Sequence, residues 1–209
     1  MIDSGEVKRA ILQNFMLLAL VPSAWAVGPS PGPGSSAKAD FVFREISYWH
    51  RWSKNNQHEY TPKGQEDLQQ WVDMVTINRY PDVHGGERLA ATANSVLENY
   101  KSHHGVVLKT NSVPRTPGHP AEHYIAVVFA QPDFLEAAFA RFKLADNAGC
   151  SIVYSHRFYG KNLEDEMNAW LKTNGPVIEK ALMSWSAVPM PIPTNQHALL
   201  NLENLQKLR

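Results

Sequence analysis

Only one of the 209 residues is a cysteine, Cys150, so no disulfide can close within the chain and the fold has to stand on its core. Its neighbours Ile152 and Val153 point to a buried strand position, where a thiol acts as a small hydrophobe. Nucleophilic use would need a histidine and a lowered pKa. Neither charge is in surplus: 20 Lys and Arg stand against 20 Asp and Glu, with no basic run. That speaks against nucleic acid as a partner, because phosphate contacts need a clustered positive surplus. Long apolar runs are missing too. Phe15 to Val21 is too short for a bilayer, which takes about 20 residues. The chain has no G-x-S-x-G, P-loop or dinucleotide fingerprint, so it lacks the signatures of the common serine hydrolases and nucleotide folds, and no cofactor is expected.

What is present begins with an export pattern. Lys8 and Arg9 precede the apolar run, Pro22 ends it, and Ala24-Trp25-Ala26 gives a small-x-small cleavage site. Residues 1–26 therefore read as a signal peptide, although Asp3 and Glu6 offset the basic charges. Residues 27–39, rich in Pro, Gly and Ser, have almost nothing to bury and read as a spacer. No cysteine lies near the cleavage site to carry a lipid. The mature chain is expected in the periplasm or secreted, beginning at Val27, with no integral membrane span.

Residues 40–188 are the size of one core. Phe41–Ser53 reads as a first strand, with Asn55-Asn56 a turn and Gln57–Thr61 its return. Val72–Tyr80, Val106–Val113, Tyr124–Ala130 and Cys150–Tyr159 follow as strands. Leu135–Leu144 is rich in alanine, but Phe139, Arg141 and Lys143 alternate with Ala140, Phe142 and Leu144, which favours a strand. Leu89, Ala93, Val96, Leu97 and Tyr100 share one helical face, and Gly105 ends that helix. A pair of helices closes the domain: one through Leu163, Met167, Trp170 and Leu171, the other capped by Asn174 with Pro176 in its first turn. Residues 189–209 are a tail. The class is α+β: a mostly antiparallel sheet of about six strands with helices packed on it, in a single domain.

Tyr60-Thr61-Pro62-Lys63-Gly64 and Trp71-Val72-Asp73-Met74-Val75-Thr76, followed by a helix, strands and a C-terminal helix, resemble the Mog1/PsbP-like α/β/α sandwich over residues 41–186. That resemblance implies a binding or assembly factor and carries over no catalytic residue.

His119-Pro120-Ala121-Glu122-His123 fits the H-x-x-E-H string of inverted zinc peptidases. The chemistry needs both histidines on one helical face, and Pro120 inside a loop that leads into a strand denies it. No metal site is therefore expected at His119, Glu122 and His123. His103-His104 sits at a helix C-terminus, where an imidazolium suits the dipole. Two functions remain. The first is a non-enzymatic binder of an envelope protein or cell-wall component, using aromatic and polar groups on one sheet face or loop, with Tyr48, Trp49 and Trp52 as candidates. The second is a small hydrolase or metal-dependent enzyme, which a deep pocket joining His119, His123 or His156 to a carboxylate would mark. Substrate, partner identity and oligomeric state have no signature in the chain.

Overall fold

Arg44 (φ 48°) and Glu45 (φ 66°) both occupy the left-handed region and turn the chain back after three residues of strand. The computed structural model describes residues 38–186 together with Val188 and Pro189. The signal-like segment 1–26, most of the spacer and most of the tail lie outside the described residues. β1 (Phe41–Phe43) pairs antiparallel with β2 (Ile46–Lys54), so a hairpin replaces the single strand expected over Phe41–Ser53. No Gly, Pro or Asn announces that turn. The next one does carry its signal: Asn55 (φ 50°) and Asn56 (φ 64°) tolerate positive φ and lead into β3 (Gln57–Thr61).

β4 (Asp73–Tyr80) follows beside β3, and α1 (Gly86–Ser102) then carries the chain to the far edge of the sheet. From there β5 (Val106–Val113), β6 (Glu122–Ala130), β7 (Phe134–Ala145) and β8 (Ala148–Tyr159) meander back until β8 lies beside β4. The order is β1-β2-β3-β4-β8-β7-β6-β5, with each neighbouring pair antiparallel. The sheet thus has eight strands rather than about six, and it is one continuous sheet.

α2 (Leu163–Ser184) is one helix, which corrects the expected closing pair. Met167, Leu171, Ile178 and Leu182 are all buried and recur at intervals of four, seven and four, a single stripe. Each such burial is worth about 1.5–3 kcal/mol, and together they outweigh the roughly 3 kcal/mol that Pro176 costs inside a helix. Pro176 itself is exposed, and so is Lys172, whose carbonyl loses its partner. Asn174 is no cap: its Oδ1 accepts from Arg44 (3.2 Å) and its Nδ2 donates to the Trp170 carbonyl (3.2 Å). Glu164, Asp165 and Glu166 fill the first turn, where negative charge suits the helix dipole.

Alternation assigns the two faces. Val75, Ile77, Ala137, Phe139, Cys150 and Ile152 point to α2. Ile125, Ala140 and Phe142 point the other way and pack on Leu89 and Ala93 of α1. The helices therefore lie on opposite faces, and β7, beneath both, is buried on its two sides. That double burial is why an alanine-rich segment serves as a strand, since small side chains suit a layer covered twice. Gly105 allows the close return from α1: a Cβ there would come within 2.7 Å of Val127. Arg141 fastens α2. Its Nε and one Nη donate to Glu122 (both 2.7 Å), and the other Nη reaches the carbonyls of Leu182 (2.6 Å) and Trp185 (2.9 Å) at the helix end. Among the described residues no helix is long and apolar enough to cross a membrane.

Candidate functional site

α1 packs mainly on β5, β6 and β7. The rest of that face, built by β3, β4 and β8, carries the polar half of each strand's alternation. Gln57 and Glu59 alternate with His58 and Tyr60, Thr76 and Asn78 with Val75 and Ile77, and Ser151 and Ser155 with Ile152 and Tyr154. Where this bare half meets α1, a groove of about 230 Å³ opens, with Tyr100 and Phe129 as its aromatic wall and Gln57, Thr76, Asn78 and Ser155 on its floor. Tyr100 and Phe129 meet edge to face at 5.4 Å.

The polar groups here divide into committed and open. Ser151 is committed, meeting Asn78 Nδ2 and the Tyr80 hydroxyl at 3.1 Å each. Arg157 is committed as well. It donates to Glu136 (2.9 Å), and its guanidinium lies 3.8 Å from the Trp71 ring centroid and 4.0 Å from that of Phe134. The Tyr159 hydroxyl holds the Trp71 carbonyl (2.8 Å) and so fixes that sandwich. Ser155 is open: it is only 7% exposed and lines the groove, yet its hydroxyl has no partner among the described residues. Thr76 is equally unpartnered there. These hydroxyls open to the groove without a protein partner, so they are available to an occupant at little cost beyond the water they would release.

Glu59 borders the groove, directly across the β3–β4 pair from Thr76. One of its oxygens accepts from Gln57 Nε2 at 2.8 Å. Burial pushes its carboxyl above the ordinary range, Gln57 and Arg157 pull it back, and Glu136 adds to the rise. Trp52 sits opposite Glu59 in the β2–β3 register and is 37% exposed.

The three aromatic residues singled out from sequence separate here. Trp52 is exposed on β2, one strand beyond Glu59 from the groove, Trp49 is half-buried opposite Thr61, and Tyr48 is wholly buried, stacked on Phe41 at 5.4 Å. His119, Glu122 and His123 do not converge. His119 closes a small loop with Thr116, Glu122 turns to Arg141 on the α2 side, and His123 turns to the other side and meets Ser112 at 2.9 Å. Among the described residues no group of three or more His, Cys, Asp or Glu is placed to hold a metal ion. Cys150 is buried, and burial pushes its thiol up to about 11.

His156 does meet a carboxylate, one that sequence reasoning missed. Asp73, its cross-strand partner, accepts from His156 Nδ1 (2.8 Å) and from the Tyr154 hydroxyl (2.7 Å), while the imidazole stacks on Trp170 at 4.4 Å. Burial alone would raise the Asp73 carboxyl, but the bonds from His156 and Tyr154 outweigh it and hold it below its ordinary value. This cluster lies under α2, on the side opposite the groove. Ser155, next in sequence, points the other way. Ser53 lies between His50 Nε2 (2.5 Å) and His58 Nδ1 (2.8 Å), but Asp40 accepts from the His50 backbone rather than from its ring.

A larger cleft of about 860 Å³ separates the start of α1 from the 114–121 loop and takes in His84, Arg88, Arg115 and His119. Those four side chains are exposed, and two are already engaged: His84 with the Asn147 carbonyl (2.7 Å) and Arg88 with that of Asp82 (3.0 Å). The smaller groove, with polar groups open to it beside its aromatic wall, is the better site.

No protein-family model matches the chain, and no curated protein matches it. Among solved structures it is similar to human STARD10, at 11% identity over 66% of this chain and 74% of that one, with a TM-score of 0.25. A score of that size is too low to relate the two folds.

Proposed function

We propose that the protein is a non-enzymatic binding protein whose groove beside α1 takes a small polar ligand or the polar tip of a partner. The observation that carries this reading is Ser155, a residue only 7% exposed that lines the groove and whose hydroxyl has no protein partner among the described residues. Thr76 beside it supplies a further contact of the kind that fixes orientation in a ligand site, with Trp52 exposed one strand beyond Glu59. Helices on opposite faces of one sheet support the Mog1/PsbP-like resemblance and, with it, a binding or assembly role. The Lys8-Arg9 signal pattern and the Pro/Gly/Ser segment support export to the cell envelope, where an envelope protein or cell-wall component would supply the ligand.

The test is an amide-shift titration of the chain against a library of small polar compounds. Binding that moves the amides of Gln57, Thr76, Asn78 and Ser155 is the expected result. Shifts confined to residues 84–88 and 115–121 would place the site in the larger cleft and overturn the reading. Intact mass of the exported protein, beginning at Val27, checks the compartment.

A further inference from the structure

We propose that the ligand carries a protonated amine, whose ammonium group docks on Glu59 and is completed by the hydroxyls of Thr76 and Ser155. The inference rests on the groove being the binding site and names the chemistry that the groove selects.

The donor and acceptor inventory leads to it. A carboxylate only accepts, so the Gln57 amide that meets Glu59 must present its NH₂ there, leaving Gln57 Oε1 as the open atom. Asn78 likewise spends its Nδ2 on Ser151 and keeps its oxygen. The second oxygen of Glu59 has no donor among the described residues. Thr76 and Ser155 add two hydroxyls that can accept. Each amide keeps one N–H and each hydroxyl can also donate, so the lining serves both roles, and the one charged group left open is the Glu59 carboxylate. The nearest cation, Arg157, is already bound to Glu136 and covered on both faces by Trp71 and Phe134. A phosphate or carboxylate ligand would find no free positive charge here and would face Glu59. An ammonium brings three donors and a positive charge, which the open Glu59 carboxylate and the hydroxyl and amide oxygens can accept.

The walls exclude the other cation class. Ca²⁺ takes six to eight oxygens, several of them carboxylate, and Mg²⁺ demands a near-octahedral cage. Among the described residues the second carboxylate acting on Glu59 is that of Glu136, already held by Arg157. Trp52, one strand beyond Glu59, and Tyr100 and Phe129 on the wall suit an organic cation, whose charge is attracted to ring faces and whose carbon skeleton they cover.

A pH dependence follows. The charged groups facing Glu59 are Arg157 from β8 and Glu136 from β7; Gln57 is its neighbour on β3, and Thr76 and Trp52 face it from β4 and β2 without titrating. Burial makes Glu59 take a proton at a higher pH than an exposed glutamate. An ammonium needs the carboxylate, so affinity falls as pH drops through that raised value.

The test uses the full chain and four probes followed by amide shifts: butylammonium, acetate, glucose and Ca²⁺. Butylammonium is expected to move Gln57, Glu59, Thr76 and Ser155. Its affinity should fall by about tenfold or more in Glu59→Gln and by several-fold in Trp52→Ala, whose exposed side chain leaves the fold intact. Affinity should also weaken from about pH 7.5 to about pH 4.5. Acetate, glucose or Ca²⁺ moving these amides more than butylammonium, or butylammonium binding Glu59→Gln unchanged, would overturn the amine and leave the groove standing. If none of the four probes, nor any compound of the polar library, moves these amides, the groove itself is refuted.

Discussion

Two arginine–glutamate pairs lie on the central strands, and they are built differently. Arg141 gives two hydrogen bonds to Glu122 and two more to the last carbonyls of α2, and its side chain is almost fully buried. Arg157 gives one bond to Glu136 and spends its flat faces on Trp71 and Phe134. The first pair is saturated and joins sheet to helix. The second stands beside Ser155, Thr76 and Glu59, which are open. Where every polar group has a partner the structure is a fastening; where several lack one, the surface is suited to recognition.

The largest effect should come from breaking the saturated pair. Arg141→Ala leaves the Glu122 carboxylate and the end of α2 without their donors and should lower stability by about 3–5 kcal/mol in denaturant unfolding. Adding Glu122→Leu should recover part of the loss, because the stranded charge is gone. At the other arginine, Arg157→Ala removes one largely buried ion pair and two ring contacts and should cost about 2–3 kcal/mol. Arg157→Lys should not restore it, since an ammonium cannot stack flat between two rings. Equal losses at Arg141 and Arg157 would erase the contrast.

The serines sharpen it further. Ser151→Ala removes the group that Asn78 and Tyr80 share and should cost about 1 kcal/mol, while Ser155→Ala removes an unpartnered hydroxyl and should leave the melting temperature nearly unchanged. A small effect of opposite sign belongs to Glu59. Its folded carboxyl titrates above its unfolded value, so its contribution is fully present below the unfolded pKa and is lost as pH rises through the folded one. Glu59→Gln should therefore stabilise the protein by about a few tenths of a kcal/mol at neutral pH, with the gain vanishing in acid. A gain that persists in acid would contradict the burial of its charge.

Sequence periodicity carried the strands well where one face is dry. Cys150–Tyr159 and the alanine-rich β7 were legible because large and small side chains alternate there. The β1–β2 turn was not, because Arg44 and Glu45 adopt positive φ without a residue type that announces it. Pro176 read as a helix start, yet the buried stripe from Met167 to Leu182 runs straight past it. The site was harder still. Gln57, Thr76 and Ser155 look in sequence like the wet side of any strand, and only the short reach of α1 leaves them facing a groove. Asp73 and His156 are 83 positions apart and meet through register alone. Trp52 stood out in sequence as an aromatic residue among polar neighbours and is exposed, whereas Tyr48, singled out by the same signal, is buried.

Cys150 has a use unrelated to any ligand. As the one sulfhydryl of the chain, placed mid-sheet on the face that α2 covers, it is hidden from solvent while the helix stays docked. A thiol reagent can reach it only when that layer lifts, so its labelling rate under native conditions is a clock for opening. Labelling that slows in step with added stability would report collective undocking, and labelling indifferent to stability would reveal a local breathing path along β8.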